Sequence, residues 1–110
     1  MSQDTSAKLL GHMVYFTLKE RTPATIQGMI DACKKYLTGH PGTIFFGVGT
    51  LVQDLTRPVN DRDFDIALQV IFDSRSAHDA YQQHPRHTQF IEENKPNWAK
   101  VRVFDADITC

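Results

Sequence analysis

The sequence predicts an α+β fold in which helices cover one face of a four-stranded antiparallel sheet. Two observations lead to this prediction. Four segments show the alternation or the apolar run of a β-strand, and three other segments show helical periodicity or helix caps. In chain order these elements are β-α-β-β-α-α-β, which is the order of a ferredoxin-like domain.

The first strand and the first helix carry the clearest signals in the first half of the chain. Residues 11–19 alternate, and one strand face has four side chains: His12, Val14, Phe16 and Leu18. Thr22 suits the N-cap position, Pro23 suits the first helical position, and Gly39 ends the helix. Cys33 lies on the apolar stripe of this helix, so we expect it to be buried.

Three further strands are predicted over 43–52, 64–72 and 98–107. The third strand has the clearest pattern, because one of its faces is wholly apolar and consists of Phe64, Ile66, Leu68, Val70 and Phe72. The polar segment 53–63 is expected to be a loop between the second and third strands.

Two short helices are predicted between the third and fourth strands. Asp73 or Ser74 can cap a helix over 75–83, and the inward stripe of this helix is expected to consist of Ala77, Ala80 and Tyr81. Because a residue before proline disfavours α geometry, this helix should end near His84. Pro85 then begins a second helix that reaches about Asn94.

Composition narrows the classes of protein to consider. The chain has 110 residues, so we expect residues 1–8 to be a flexible tail and residues 9–110 to form a single domain. A formal net charge of −1 favours neither nucleic acid nor an anionic membrane as a partner. No apolar run is long enough to span a bilayer. Cys33 and Cys110 are expected to be free thiols in a reducing cytoplasm.

The sheet face away from the helices predicts a homodimer. This face carries apolar side chains that the helices cannot cover: Met13, Tyr15, Phe45, Ala67 and Ile71. Such a patch would measure several hundred Å² if it were left exposed to water. A second copy that packs sheet to sheet would cover it, and symmetric pairs are the commonest oligomers. A monomer with a moderately apolar outer face is the alternative.

Four motifs in order resemble the stress-responsive α/β-barrel domain family, within the dimeric α+β barrels. They are "GHMVYFTLK" at 11–19, "DFDIALQVIF" at 63–72, the corner "YQQHPRH" at 81–87 and "KVRVFDAD" at 100–107. The resemblance covers nearly the whole chain. It implies a homodimer in which two sheets form an α+β barrel.

The resemblance also implies three site residues. One plant branch of the family is a polyketide cyclase that needs no cofactor, and its working residues match His12, Tyr81 and His87 of this sequence. Helical spacing independently places His87 on the stripe of Phe90 and Ile91, so all three polar groups should face one apolar layer. We expect neither a metal nor another cofactor.

Each of the three residues has an expected role and a structural alternative. His87 lies in the first helical turn, where the helix dipole and burial keep its imidazole neutral and able to act as a general base. Tyr81 could stabilise an enolate, and His12 could orient the base or a substrate hydroxyl. In the alternative, the three side chains are core residues that satisfy one another's hydrogen bonds.

The remaining polar residues are interpreted as structural. His84 is expected to cap a helix or face solvent, and His40 and His78 are expected at the surface. A metal site made by His84, His87 and His12 is disfavoured, because no carboxylate joins them and His84 should not share a face with His87. Asp65 and Asp105 are expected to be hydrogen-bond partners within the sheet rather than catalytic acids.

Three functions are therefore considered. The first is a homodimer that binds a small hydrophobic molecule and catalyses cofactor-free acid/base chemistry of the cyclase, isomerase or lyase type. The second is a stress-protective or binding protein without turnover. The third is a cofactor-free monooxygenase, as in neighbouring dimeric α+β barrels. The first function requires a cavity that reaches His87 and has the usual volume of a ligand site, about 300 Å³ or more.

Overall fold

The computed structural model describes residues 8–110 and contains the elements in the predicted order. The strands are β1 (Leu9–Leu18), β2 (Thr43–Thr50), β3 (Ile66–Phe72) and β4 (Trp98–Ile108). The helices are α1 (Pro23–Leu37), α2 (Arg75–Gln83) and α3 (Pro85–Asn94), and a short 3₁₀ turn follows at Lys95–Asn97. Apart from Lys8, the tail expected over residues 1–8 lies outside the described residues.

The four strands form one antiparallel sheet in the order β2-β3-β1-β4. β1 is therefore a central strand, with β3 on one side and β4 on the other. Its register places His12 opposite Val70 of β3 and opposite Asp105 of β4. Because directly opposite residues of an antiparallel pair point to the same face, His12 and Asp105 share the face that the helices cover.

The helices cover the sheet face that the alternation predicted. The buried apolar side chains of β1 and β3 on this face are Leu10, Val14, Phe16, Leu18, Ile66, Leu68, Val70 and Phe72. The helices add Met29, Cys33, Tyr36, Leu37, Tyr81 and Phe90 to the same core. Cys33 is fully buried and Cys110 is exposed, and both are free thiols.

Side-chain caps begin the helices where the sequence indicates. Thr22 accepts a hydrogen bond from the backbone N–H of Thr25, whose hydroxyl in turn accepts from the N–H of Thr22. Ser74 caps α2 by accepting from the N–H of Ala77. His84 ends α2 and begins α3, because its ring nitrogen accepts from the N–H of Arg86. The His84 side chain therefore caps α3 at this corner.

Two predicted side-chain directions are wrong. Phe64 lies outside β3 and contacts Tyr15 on the outer sheet face, because the chain bends at Asp65. That bend is held by the Asp65 carboxylate, which accepts from the N–H of Leu18 and from Arg21. Ala80 is exposed, since α2 turns His78 rather than Ala80 toward the sheet beside Tyr81.

The outer face of the sheet is apolar and uncovered in the single chain. Phe45 and Phe104 are each 52% exposed there. Met13, Tyr15, Phe64 and Phe104 line an open cavity of about 440 Å³ on this face, together with the loop that follows β2. Within residues 8–110, no helix is long and apolar enough to cross a membrane.

Candidate functional site

His12, Tyr81 and His87 line one cavity between the helices and the sheet. Each comes from a different element: His12 from β1, Tyr81 from α2 and His87 from the first turn of α3. The Tyr81 ring lies 5.8 Å from the His12 ring and 4.8 Å from the His87 ring, measured between centroids. The rest of the lining is mostly apolar, with Val14, Phe16, Leu68, Phe90, Trp98 and Val103 among its members.

The cavity is smaller than the ligand hypothesis predicts. Its volume is about 110 Å³, below the usual range of about 300 to 1,000 Å³ for ligand sites. An apolar cavity of about 150 Å³ accommodates benzene, so this one suits a molecule of few heavy atoms. A second cavity, of about 440 Å³, lies on the outer face, and none of the five histidines lines it.

His12 is held by a carboxylate that faces it across the sheet. Its Nδ1 lies 2.5 Å from Oδ1 of Asp105, and the His12 residue is only 5% exposed. An ionised carboxylate can only accept, so Nδ1 carries the proton and Nε2 keeps its lone pair. The side-chain amide of Gln82, which also lines the cavity, lies 3.5 Å from that Nε2. This arrangement is a carboxylate–imidazole pair adjoining an apolar cavity.

Tyr81 is the polar group that the cluster leaves unsatisfied. The residue is 2% exposed, and its hydroxyl has no hydrogen-bond partner within residues 8–110. Burial also raises the pKa of this phenol, so it stays a neutral donor. An unpaired buried hydroxyl costs about 1–3 kcal/mol. The three side chains therefore do not satisfy one another, as the purely structural alternative required.

Burial keeps the histidines at this cavity neutral. Burial and, to a smaller extent, the neighbouring His12, His40 and His78 together lower the pKa of His87 to about 4. Burial also lowers the pKa of His12, although the hydrogen bond that His12 donates to Asp105 works in the opposite direction. Neutral imidazoles at physiological pH agree with the expectation from the sequence.

Two histidines expected at the surface belong to the same buried region. His40 is 4% exposed, because its Nε2 pairs with the carbonyl oxygen of Tyr36 in the last turn of α1. The His78 side chain is 14% exposed, and its ring lies 5.2 Å from that of His12. Both placements correct the prediction. Helical spacing could have indicated His78, which lies three residues before Tyr81 and therefore on the same side of α2.

The acidic partner of His12 was also missed. The metal hypothesis was set aside because no carboxylate joined the histidines, but Asp105 contacts His12 directly. The prediction that Asp105 is a hydrogen-bond partner in the sheet agrees with this contact. Its particular partner depends on the β1–β4 register, which the sequence does not specify.

Fold and site together define a ferredoxin-like α+β domain with a small histidine-lined cavity between its helices and its sheet. The model of the stress responsive A/B barrel domain (Dabb) family matches residues 10–108. The chain belongs to this family. A search of curated protein sequences finds no match.

Several solved structures share the fold of this chain. A Dabb family protein with a ferredoxin-like fold from Mesorhizobium loti has 23% identity and a TM-score of 0.74, over 90% of this chain and 95% of that one. A dimeric ferredoxin-like protein of unknown function from Thermobifida fusca has 20% identity and a TM-score of 0.75, over 97% of both chains. The hydroxynitrile lyase of Passiflora edulis has 23% identity and a TM-score of 0.75, over 94% of this chain and 95% of that one. At these identities the similarity establishes the fold alone.

Proposed function

We propose that this protein is a cofactor-free acid/base catalyst that acts on a small, mostly apolar molecule, with lyase, isomerase or cyclase chemistry. One observation carries the proposal. A cavity between the helices and the sheet brings together a carboxylate-paired imidazole, a second imidazole and a phenol whose hydroxyl has no partner among the described residues. General acid/base chemistry needs such groups within reach of one bound molecule.

We assign the role of general base to His12, whereas the sequence predicted His87 for this role. A general base works best when its pKa lies near the working pH, and His87, with a pKa of about 4, is a weak base. Asp105 opposes the effect of burial on His12 and directs the free lone pair to Nε2. Asp105 would also stabilise the imidazolium that forms when His12 takes a proton.

Tyr81 and His87 are assigned to hydrogen bonds with the substrate, and the imidazolium formed on His12 returns the proton. The Tyr81 hydroxyl would donate a hydrogen bond to the oxygen on which negative charge develops. His87 has no side-chain hydrogen bond within residues 8–110, so its imidazole is available to a bound molecule. The cavity volume of about 110 Å³ favours a substrate smaller than benzene. The lyase among the structures with this fold supports testing small hydroxynitriles first.

We also propose that the protein works as a homodimer through the outer sheet face. The exposed Phe45 and Phe104 and the open apolar cavity on that face support this assembly. The dimeric protein from Thermobifida fusca has the same fold. A reducing cytoplasmic location is proposed on the ground that both cysteines are free.

The test is proton exchange and bond cleavage on small molecules. Small ketones and aldehydes are incubated with the protein in D₂O, and exchange at the carbon next to the carbonyl is followed by NMR. Cleavage of small aliphatic hydroxynitriles is followed by cyanide release. We expect at least one of these reactions to be catalysed, and His12→Gln and Tyr81→Phe to reduce it by about 100-fold or more. His84→Asn, outside the cavity, should keep the rate.

Each other outcome is informative. Binding at the cavity without exchange or cleavage would support a binding protein without turnover. An absence of both binding and turnover across these compounds would overturn the proposal, and so would turnover that survives His12→Gln.

A further inference from the structure

We propose that His12, His78 and Asp105 form a binding site for a divalent transition-metal ion, with Zn²⁺ as the best-fitting example. Each of the three residues offers one ligand atom, and these atoms all lie within 4.8 Å of one another. Two imidazoles and a carboxylate, with a fourth position left for water, are a usual ligand set for zinc. The metal site that the sequence disfavoured combined His12 with His84 and His87, and of these three residues only His12 belongs to the present trio.

The sheet and a helix converge on this site. His12 and Asp105 are directly opposite each other on β1 and β4, so cross-strand pairing holds two of the ligands in place. His78 reaches the same point from α2, and its ring packs at 64° to the His12 ring with centroids 5.2 Å apart. Two ligands are therefore fixed by backbone register and one by helix packing.

His78 is oriented as a metal-binding histidine would be. Its Nδ1 lies 3.0 Å from Oδ1 of Asp79, whose carboxylate also accepts from Arg75 at 2.9 Å. Because this carboxylate oxygen accepts from the Arg75 guanidinium, it acts as an acceptor for the His78 ring as well, and Nδ1 is the donor. Metal-binding histidines nearly always donate their second N–H to such an acceptor.

The other nitrogen of His78 is left without a partner. Its Nε2 is buried, and no residue within 8–110 hydrogen-bonds it. A buried lone pair that no donor reaches is costly, and a cation bound there would remove that cost. This observation is independent of the closeness of the three residues, and it also favours a cation.

Small adjustments would complete the coordination. Ligand atoms about 2.0–2.1 Å from a tetrahedral metal lie about 3.3 Å from one another. Nδ1 of His12 and Oδ1 of Asp105 are 2.5 Å apart, so an ion bound between them would replace their hydrogen bond and move the two atoms apart. The Asp105 side chain is 45% exposed on the edge strand β4, and it has room to move. If Nδ1 of His12 binds the metal, Nε2 carries the proton. Rotating the Gln82 amide, 3.5 Å away, would present its oxygen to that proton.

The metal site and the proposed function assign different roles to His12. Binding of the metal does not require any catalytic activity. An occupied site would leave His12 with a proton on Nε2 and no free lone pair, so that it could not act as the proposed base. Metal affinity and turnover are therefore distinct readouts, and either proposal can fail alone.

The test measures metal binding directly, on protein that carries no polyhistidine tag and has been treated with a chelator. Co²⁺ is titrated while its visible absorption is recorded, and Zn²⁺ is titrated by calorimetry. We expect one ion per chain, with Co²⁺ bands typical of a tetrahedral nitrogen and oxygen site. His78→Gln and Asp105→Asn should each weaken binding by about tenfold or more. The control His84→Asn removes an imidazole at the same helix corner and keeps a good N-cap, so its affinity should be unchanged.

Circular dichroism confirms that each variant is folded before it is compared. Binding that is absent in the unmodified protein would overturn the proposal. Binding that is equally strong in His78→Gln and Asp105→Asn would also overturn it, because the ion would then be held elsewhere. Using both variants guards against the misfolding of one.

Discussion

Tyr36 and Tyr81 are both buried tyrosines, but only Tyr36 has a described partner for its hydroxyl. Tyr36 donates to the Glu93 carboxylate at 2.8 Å, whereas the Tyr81 hydroxyl has no partner within residues 8–110. Removing a satisfied hydroxyl costs about 0.5–1.5 kcal/mol, and removing an unsatisfied one costs little or stabilises the fold. We therefore expect Tyr36→Phe to lower the free energy of unfolding by about 1 kcal/mol, and Tyr81→Phe to leave it equal or higher.

Urea denaturation of the two variants and the unmodified protein measures this difference. A Tyr81→Phe variant as destabilised as Tyr36→Phe would mean that the Tyr81 hydroxyl is satisfied in solution. The proposal that this hydroxyl serves a bound molecule would then lose its main support.

The hydrogen bond from His12 to Asp105 predicts which ring nitrogen carries the proton. In the unmodified protein we expect the Nδ1–H form of His12, seen in ¹⁵N NMR of the imidazole. Asp105→Asn removes the negative charge, so the pKa of His12 should fall further and the preference for this form should weaken. Asp107→Asn is the matched control, because it removes an exposed carboxylate from the same strand. Equal spectra for Asp105→Asn and the unmodified protein would contradict the assignment.

Sequence reasoning reaches some of these residues but not their partners. The family resemblance implied Tyr81, His12 and His87 as site residues, and strand alternation and helical spacing, which are local properties, placed all three on one apolar layer. Asp105 lies 93 positions from His12, and only the pairing of β1 with β4 brings them together. His40 looked exposed because its loop is polar, but its bond to the Tyr36 carbonyl buries it. Local patterns do not predict such long-range contacts.

At the scale of elements, the turn before β2 fixes the position of α2. Gly42 has a φ of +83°, and a Cβ added there would lie 2.4 Å from Cβ of Ala77 in α2. Gly39 has a similar φ of +76°, but an added Cβ would meet nothing within 4 Å. A substitution at either glycine would therefore strain the backbone, but only a substitution at Gly42 would also clash with a helix.

This contrast predicts different costs for the same substitution. Gly39→Ala should lower the free energy of unfolding by about 1–2 kcal/mol, because a left-handed backbone disfavours any Cβ. Gly42→Ala should cost about 1–3 kcal/mol more, because α2 must move away from the turn. Thermal or urea unfolding of both variants tests this. Equal losses would show that α2 tolerates the extra methyl group without strain.

Element order was predictable because each element carries its own caps and periodicity. Thr22, Ser74 and Pro85 begin helices where the sequence indicates, and β3 buries the face that its alternation predicts. The misplaced Phe64 shows the limit of this approach. The alternation of β3 stops at Asp65, whose carboxylate accepts from the N–H of Leu18, 47 positions away. The pattern therefore does not predict to which sheet face the Phe64 side chain points.

At the scale of the whole molecule, the buried histidines predict a loss of stability in mild acid. Burial lowers the pKa of His12, His40 and His87 in the folded chain, and His87 reaches about 4 from a usual 6.5. As pH falls below about 6.5, these histidines become protonated in the unfolded chain but stay neutral in the folded chain. The free energy of unfolding is therefore highest above about pH 6.5 and falls between about pH 6.5 and 4. The contribution of His87 to this fall ends below its pKa in the folded chain.

The expected size of this effect is measurable. His87 alone accounts for up to about 3 kcal/mol across that window, since one pKa unit corresponds to about 1.4 kcal/mol. Urea midpoints between about pH 4.5 and 7 in the presence of a chelator measure it. His87→Gln should flatten the profile. The hydrogen bond from Arg102 lowers the pKa of Asp61, so carboxylates of this kind titrate below this pH window. A profile that is flat down to pH 4.5 would contradict burial of neutral histidines.

The outer sheet face predicts how the chains assemble. Phe104 of β4 is 52% exposed and lines the open cavity of this face beside Met13 and Tyr15. In a sheet-to-sheet dimer, Phe104→Glu would bury a charge without a partner, and we expect a monomer by size-exclusion chromatography with light scattering. Ala24→Glu adds the same charge to an exposed position on α1 and should leave the dimer intact.

Assembly and stability should change together. Covering the outer face adds buried apolar area that the single chain lacks, so the unfolding midpoint of the dimer should rise with protein concentration. Phe104→Glu should abolish that dependence, whereas Ala24→Glu should preserve it. A dimer that survives Phe104→Glu must use a different surface, and the apolar cavity of about 440 Å³ would then be open to solvent or to another ligand. The helix–sheet cavity lies on the opposite face, so its chemistry can be tested in either state.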